Sequence, residues 1–152
     1  MNDATAFDAA ESQALTTLEH HTGGIAVLRF GLGDRRQNVM TTALAEALVE
    51  RIAQVRADRD IRGLVLASNK SGSFLAGVDT ALFDGFTEAL AAEQRVRGLQ
   101  AGLAGLATLK IPVVAAIDGG CIGGGLELAL VCDARVAADT PATRFAMSEV
   151  KL

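Results

Sequence analysis

The stretch DGGCIGGGLELALVCD, Asp118–Asp133, decides how the rest of the chain is read. Five glycines fall within the seven residues Gly119–Gly125. One carboxylate, Glu127, follows inside an otherwise apolar run. The run in front, IPVVAAI (Ile111–Ile117), has the look of a short buried strand. The residues behind, GLELALVC (Gly125–Cys132), read as a helix. Strand, glycines and helix start is an arrangement that can hold an anion. Glycine lets the backbone approach a ligand, and the first helical turn leaves unpaired N–H groups with partial positive charge.

Two phosphate sites built this way are excluded. A dinucleotide fingerprint needs glycines at i, i+2 and i+5, which no register of Gly119–Gly125 supplies. A P-loop needs a lysine after its last glycine, where this chain has Gly125 or Leu126. There remains a developing anion held by main-chain donors, with Glu127 close enough to move a proton beside it. Flanked by Leu126, Leu128 and Ala129, Glu127 is expected to be buried, and burial would favour its protonated form. The plainer alternative is a helix-start glutamate favoured by the dipole, with glycines that serve packing alone.

Outward from this stretch, strands alternate with helices. GIAVLRF (Gly24–Phe30) reads as a strand. From Met40 to Val55, the residues Leu44, Leu48, Ile52 and Val55 recur at helical spacing. RGLVLAS (Arg62–Ser68) is a buried strand and NKSGS a loop. A second helical region is expected from Thr80 to Lys110, broken near Gly98 or Gly102. After the glycine run, ARVAAD reads as a strand and TRFAMSE as a short strand or extended piece. This order gives an α/β class with mostly parallel strands. Residues 1–14 form a polar lead-in and 15–152 one domain.

The chain has 152 residues, half of them hydrophobic, and a mean hydropathy of +0.31. That is rich enough to expect apolar surface meeting a partner or a further part of the protein. The net charge of −4 and scattered Lys and Arg give no basic cluster for nucleic acid. No apolar run is long enough to span a bilayer, and the acidic N-terminus has no signal-peptide pattern, so a cytoplasmic protein is expected. Cys121 and Cys132 read as buried structural thiols. The adjacent His20 and His21 would diverge on any regular element, and no metal site is expected. The last residues, SEVKL, look as if they enter a buried element, so the chain reads as a fragment.

A second glycine turn lies in SGSFLAGVDTALF (Ser71–Phe83). There Gly77 precedes Asp79 and Thr80, either of which can cap a helix. The N–H of Val78 would sit at that handover. Spacing alone leaves open whether it converges with the first site or belongs to an ordinary capped turn.

Taken together and in this order, the two stretches resemble the crotonase (enoyl-CoA hydratase/isomerase) superfamily. SGSFLAGVDTALF is similar to its F-x-A-G-x-D loop, IPVVAAIDGGCIGGGLELALVCD to its glycine-triple signature, and RFAMSEVKL to the segment with its second glutamate. The wording is nearest to multifunctional members that serve fatty acid oxidation. The resemblance implies a superhelix of strand–strand–helix (ββα) turns, incomplete at the C-terminus here. It implies an acyl-CoA thioester substrate and an oxyanion hole from the N–H groups of Val78 and Gly124. It implies Glu127 and Glu149, 22 positions apart, as catalytic acids for hydration or double-bond isomerisation. The CoA arm would run along Phe74, Ala76, Gly77 and Asp79, with Gly123 nearby. No cofactor is implied for this stretch, and NAD only if a dehydrogenase domain follows. A homo-oligomer, or a complex with a thiolase subunit, is the implied assembly. The alternatives are a non-catalytic acyl-CoA-binding or interaction protein, or an inactive fragment. Acids without their supporting shell would make the 152-residue chain alone a poor catalyst.

Overall fold

The computed structural model describes residues 14–33, 35–79 and 103–147. Glu149 and the expected helix from Thr80 up to residue 102 lie outside them.

Two parallel-rich sheets organise the described chain. The larger has the order β1-β2-β3-β5-β7, with β1 Thr16–His21, β2 Ile25–Phe30, β3 Gly63–Ser68, β5 Val113–Ile117 and β7 Ala134–Ala137. Only β1 is antiparallel in it: Thr16 pairs with Phe30 and His21 with Ile25 across a tight turn. The other pairs run parallel, Ile25 beside Gly63, Leu64 beside Val113 and Val114 beside Ala134. The smaller sheet stacks β4 Ser73–Ala76, β6 Gly120–Ile122 and β8 Arg144–Ala146, all parallel. Each of its strands directly follows one of the larger sheet: β4 after β3, β6 after β5, β8 after β7. The chain therefore climbs by the same strand–strand step three times, and after β6 the helix α2 (Gly124–Val131) completes a ββα turn. This is the architecture the sequence led us to expect.

Helix α1 spans Thr42–Ala57. Thr41 caps it, its hydroxyl accepting from the Leu44 N–H at 3.1 Å. All four residues of the expected stripe, Leu44, Leu48, Ile52 and Val55, are buried. In β2, alternation sends Ala26, Leu28 and Phe30 inward. Phe30 then meets Phe74 of β4 edge to face, with ring centroids 5.3 Å apart, so one aromatic pair ties the two sheets together. Full burial of such a side chain is worth about 1.5–3 kcal/mol. Within the region read as a second helix, the described part holds a 3-10 helix, Ala104–Thr108, with Leu106 buried.

Three strands were not anticipated. β1 (TTLEHH) is mostly exposed and carries little apolar alternation. β4 hides in what reads as loop, and β6 is three residues inside the glycine run. Cys121 on β6 and Cys132 after α2 are buried free thiols, as expected. Burial pushes both up to about 11. Among the described residues no helix is long and apolar enough to cross a membrane.

Candidate active site

The site begins where β4 ends. Gly77 has φ 93°, a conformation L side chains rarely adopt. The turn there leaves Ala76 donating to the Asn38 carbonyl at 2.7 Å, while the Gly77 carbonyl accepts from the Met40 N–H at 2.8 Å. The Asp79 N–H returns to the Met40 carbonyl at 3.0 Å. The Gly77 carbonyl and the Val78 N–H belong to one trans peptide and point in opposite directions. With the carbonyl turned to Met40, the Val78 N–H is turned away from it. Among the described residues that N–H donates to nothing.

The second half is built where β6 hands over to α2. Gly123, with φ 52° and ψ −121°, stands at the helix start, and its N–H donates to the Ala146 carbonyl at 2.8 Å. Its carbonyl accepts from Leu126 N–H at 2.8 Å and Glu127 N–H at 3.0 Å, so it points down the helix. By the same peptide geometry, the Gly124 N–H points out of the helix start, and it too has no acceptor among the described residues. A Cβ on Gly125 would run into the Leu75 main-chain carbonyl, so that glycine lets α2 lie directly on β4.

The two halves abut. A Cβ placed on Gly124 would be 3.1 Å from Val78 Cγ2. Two loops, 46 residues apart in sequence, thus bring Val78 and Gly124 side by side, each with an N–H that has no acceptor among the described residues. Glu127 stands one turn along α2, and its side chain is exposed. This corrects the burial expected for it: Leu128 and Ala129 face the core, and Glu127 faces the other way.

The remaining expected residues divide. Phe74 is fully buried against Phe30, which corrects the expectation that it touches a ligand: it positions β4 and has no surface to offer. Gly77 and Gly123 are buried, Ala76 is half-buried, and Val78 is 40% exposed. The Asp79 carboxylate bonds the Arg35 guanidinium at 2.6 Å. Glu149 lies outside the described residues. A cavity of about 640 Å³ opens elsewhere, at the C-terminal ends of β2, β3, β5 and β7, among Arg29, Lys70, Asp118 and Val136; neither Val78 nor Gly124 lines it.

Sequence reasoning missed the support behind Val78. Asn38 is completely buried. Its side chain accepts from Leu32 N–H at 2.9 Å and donates to Ser68 Oγ at 2.8 Å and the Phe74 carbonyl at 3.3 Å. Its own N–H donates to Ser73 Oγ at 3.0 Å. No local pattern announces this residue, since all its partners but Leu32 lie on β3 and β4.

Residues 21–152 match the sequence profile of the family described as enoyl-CoA hydratase/isomerase. The chain belongs to that family. It is 38% identical over 136 residues to a fatty acid oxidation complex subunit alpha of Idiomarina loihiensis, and 39% identical over 136 residues to that of Shewanella loihica. Both matches cover 90% of this chain and 19% of the relative. Among solved structures it is similar to an enoyl-CoA hydratase of Geobacillus kaustophilus (TM-score 0.79, 26% identity, 90% of this chain and 50% of that one). It is also similar to one from Bacillus anthracis (TM-score 0.73, 27% identity, 82% and 48%). The chain thus spans about half the length of the solved relatives and 19% of the alpha subunits.

Proposed function

We propose that this family member is the N-terminal part of an enoyl-CoA hydratase of fatty acid β-oxidation. The observation that carries the reading is the meeting of Val78 and Gly124, each with an N–H that has no acceptor among the described residues. In this reading both donate to the thioester oxygen of a trans-2-enoyl-CoA. Glu127 orients water and takes its proton as the oxygen attacks the β-carbon. The electron pair of the double bond moves toward the thioester, whose oxygen carries the enolate charge between the two donors. Glu149 then protonates the α-carbon, and the sum is addition of water across the double bond. The same two acids can relay a proton between carbons and so shift the double bond, which is the isomerase activity of the reading. Each oxyanion donor is worth about 3 kcal/mol in the transition state, and acid–base help adds roughly two to four decades.

The reaction moves water and protons and needs no electron carrier. NAD enters only if a dehydrogenase domain follows. The relatives named as subunits of a fatty acid oxidation complex support a CoA thioester substrate and a complex for the longer protein; in this reading its partner is a thiolase subunit and its setting cytoplasmic. Exposure of Glu127, Leu130, Val136 and Phe145 favours a second reading, a non-catalytic acyl-CoA-binding or interaction protein.

The substitutions Glu127→Gln and Glu149→Gln in the full-length protein separate the two. The hydratase reading expects turnover to fall by about a hundredfold or more with the affinity for the CoA ester held. Full-length protein with CoA-ester affinity but no turnover to lose would leave the binding reading in its place.

A further inference from the structure

One end of the Val78 peptide is gripped from behind. Met40 N–H bonds the Gly77 carbonyl at 2.8 Å, on the far side of the same peptide that presents the Val78 N–H. The next peptide is held by the same residue, through Asp79 N–H to the Met40 carbonyl at 3.0 Å. Buried Asn38 fixes the gripping segment to β4 and β3. At its other end Arg35 reaches Asp79 at 2.6 Å, a carboxylate only 15% exposed, one residue from the donor.

We propose that the segment from Arg35 to Met40 is a positioning element for the Val78 donor, with the Arg35–Asp79 ion pair as its lock. The inference rests on the oxyanion-hole reading above. Two physical effects point to it. A hydrogen bond accepted by the Gly77 carbonyl fixes the direction of the Val78 N–H and polarises it toward stronger donation. The negative charge of Asp79, one residue from that donor, opposes the negative charge growing on a bound thioester oxygen. The guanidinium neutralises it and, by pulling on Asp79, holds residue 79 against Met40. Arg35 touches no reacting atom in this account; it acts through Asp79 and the main chain.

The test uses full-length protein with Glu127→Gln, so that a trans-2-enoyl-CoA labelled with carbon-13 at the thioester carbonyl stays bound unreacted. The carbonyl stretch reads the hydrogen bonds donated to that oxygen. Its shift to lower frequency on binding is expected to shrink clearly when Arg35→Met is added. Otherwise wild-type protein carrying Arg35→Met is expected to lose about tenfold in kcat with KM within about twofold. Arg35→Lys should recover only part of both, because it keeps charge but loses the planar fork. Exchanging the pair, Arg35→Asp with Asp79→Arg, should recover part of kcat as well. Arg35 is an exposed side chain, and an unchanged melting temperature in the Met and Lys variants separates positioning from unfolding. A rise in KM with kcat and carbonyl band unchanged overturns the inference, since Arg35 would then serve binding alone. A band that Arg35→Met leaves fully shifted overturns it too while sparing the oxyanion hole. If the band does not move even with Arg35 present, the oxyanion reading itself fails and takes the inference with it.

Discussion

At Gly124 a hydrogen stands where any other residue would carry at least a methyl group, and Val78 fills the space in front. Gly124→Ala would place its Cβ 3.1 Å from Val78 Cγ2, a contact the valine relieves by moving a few tenths of an ångström. Alanine also favours a helix by about 1 kcal/mol over glycine, so stability should barely change. The methyl group nevertheless stands between the two residues that carry the proposed donors. We therefore expect full-length Gly124→Ala to melt within a few degrees of wild type and to lose about a hundredfold in turnover. Adding Val78→Ala should return part of it. At Gly125 the opposite holds: the obstacle is the Leu75 carbonyl, which cannot step aside, and Gly125→Ala should cost about 1–3 kcal/mol in denaturant unfolding. Full turnover in Gly124→Ala would mean that its N–H faces no reacting oxygen.

At the scale of elements, the smaller sheet is the part that local sequence conceals. β2, β3, β5 and the stripe of α1 were legible because each carries its own local apolar run or period. β4 and β6 are four and three residues long, and what makes them strands is pairing with each other and with β8. Such partners are far away in sequence, so no window of neighbouring residues reports them. The glycines of the site were legible by type, but their convergence was not, since it depends on that same pairing. Asn38 shows the cost of this geometry. It sits in a connection between β2 and α1, yet it joins that connection to β3 and β4 through bonds of both its side chain and its main chain. Removing the side chain leaves the Leu32 N–H and the Phe74 carbonyl without it in a dry place. Asn38→Ala should cost about 2–4 kcal/mol in chemical unfolding. A loss near zero would show that water replaces the amide at no penalty.

Over the whole molecule, apolar packing and the candidate site share one wall. The fully buried core runs from Leu28 and Leu66 through Phe74 and Leu75 to Cys121, Leu128 and Cys132. It leaves Val136, Leu130 and Phe145 exposed on β7, α2 and β8. Cys121 lies on β6 two residues before Gly123, so any opening of the core there also opens the helix start that presents Gly124. The two thiols report on that opening. Burial is the main cause of their rise from 9.0 to about 11; the other thiol adds for Cys121, while for Cys132 Arg135 lowers and Asp133 raises. Below pH 9.0 the thiols are protonated whether the chain is folded or not, and their contribution is fully present. As pH climbs from 9.0 to about 11 the unfolded chain gives up its thiol protons first, so the folded state loses that contribution. Unfolding free energy measured across this window should fall with pH, and fall less in a Cys121→Ala/Cys132→Ala variant, where only the other titrating groups remain. In the same protein, alkylation near neutral pH should leave both thiols unmodified until denaturant is added. Equal slopes in the two proteins, or rapid labelling of native Cys121, would place that thiol outside the packed wall and remove the support it gives to the start of α2.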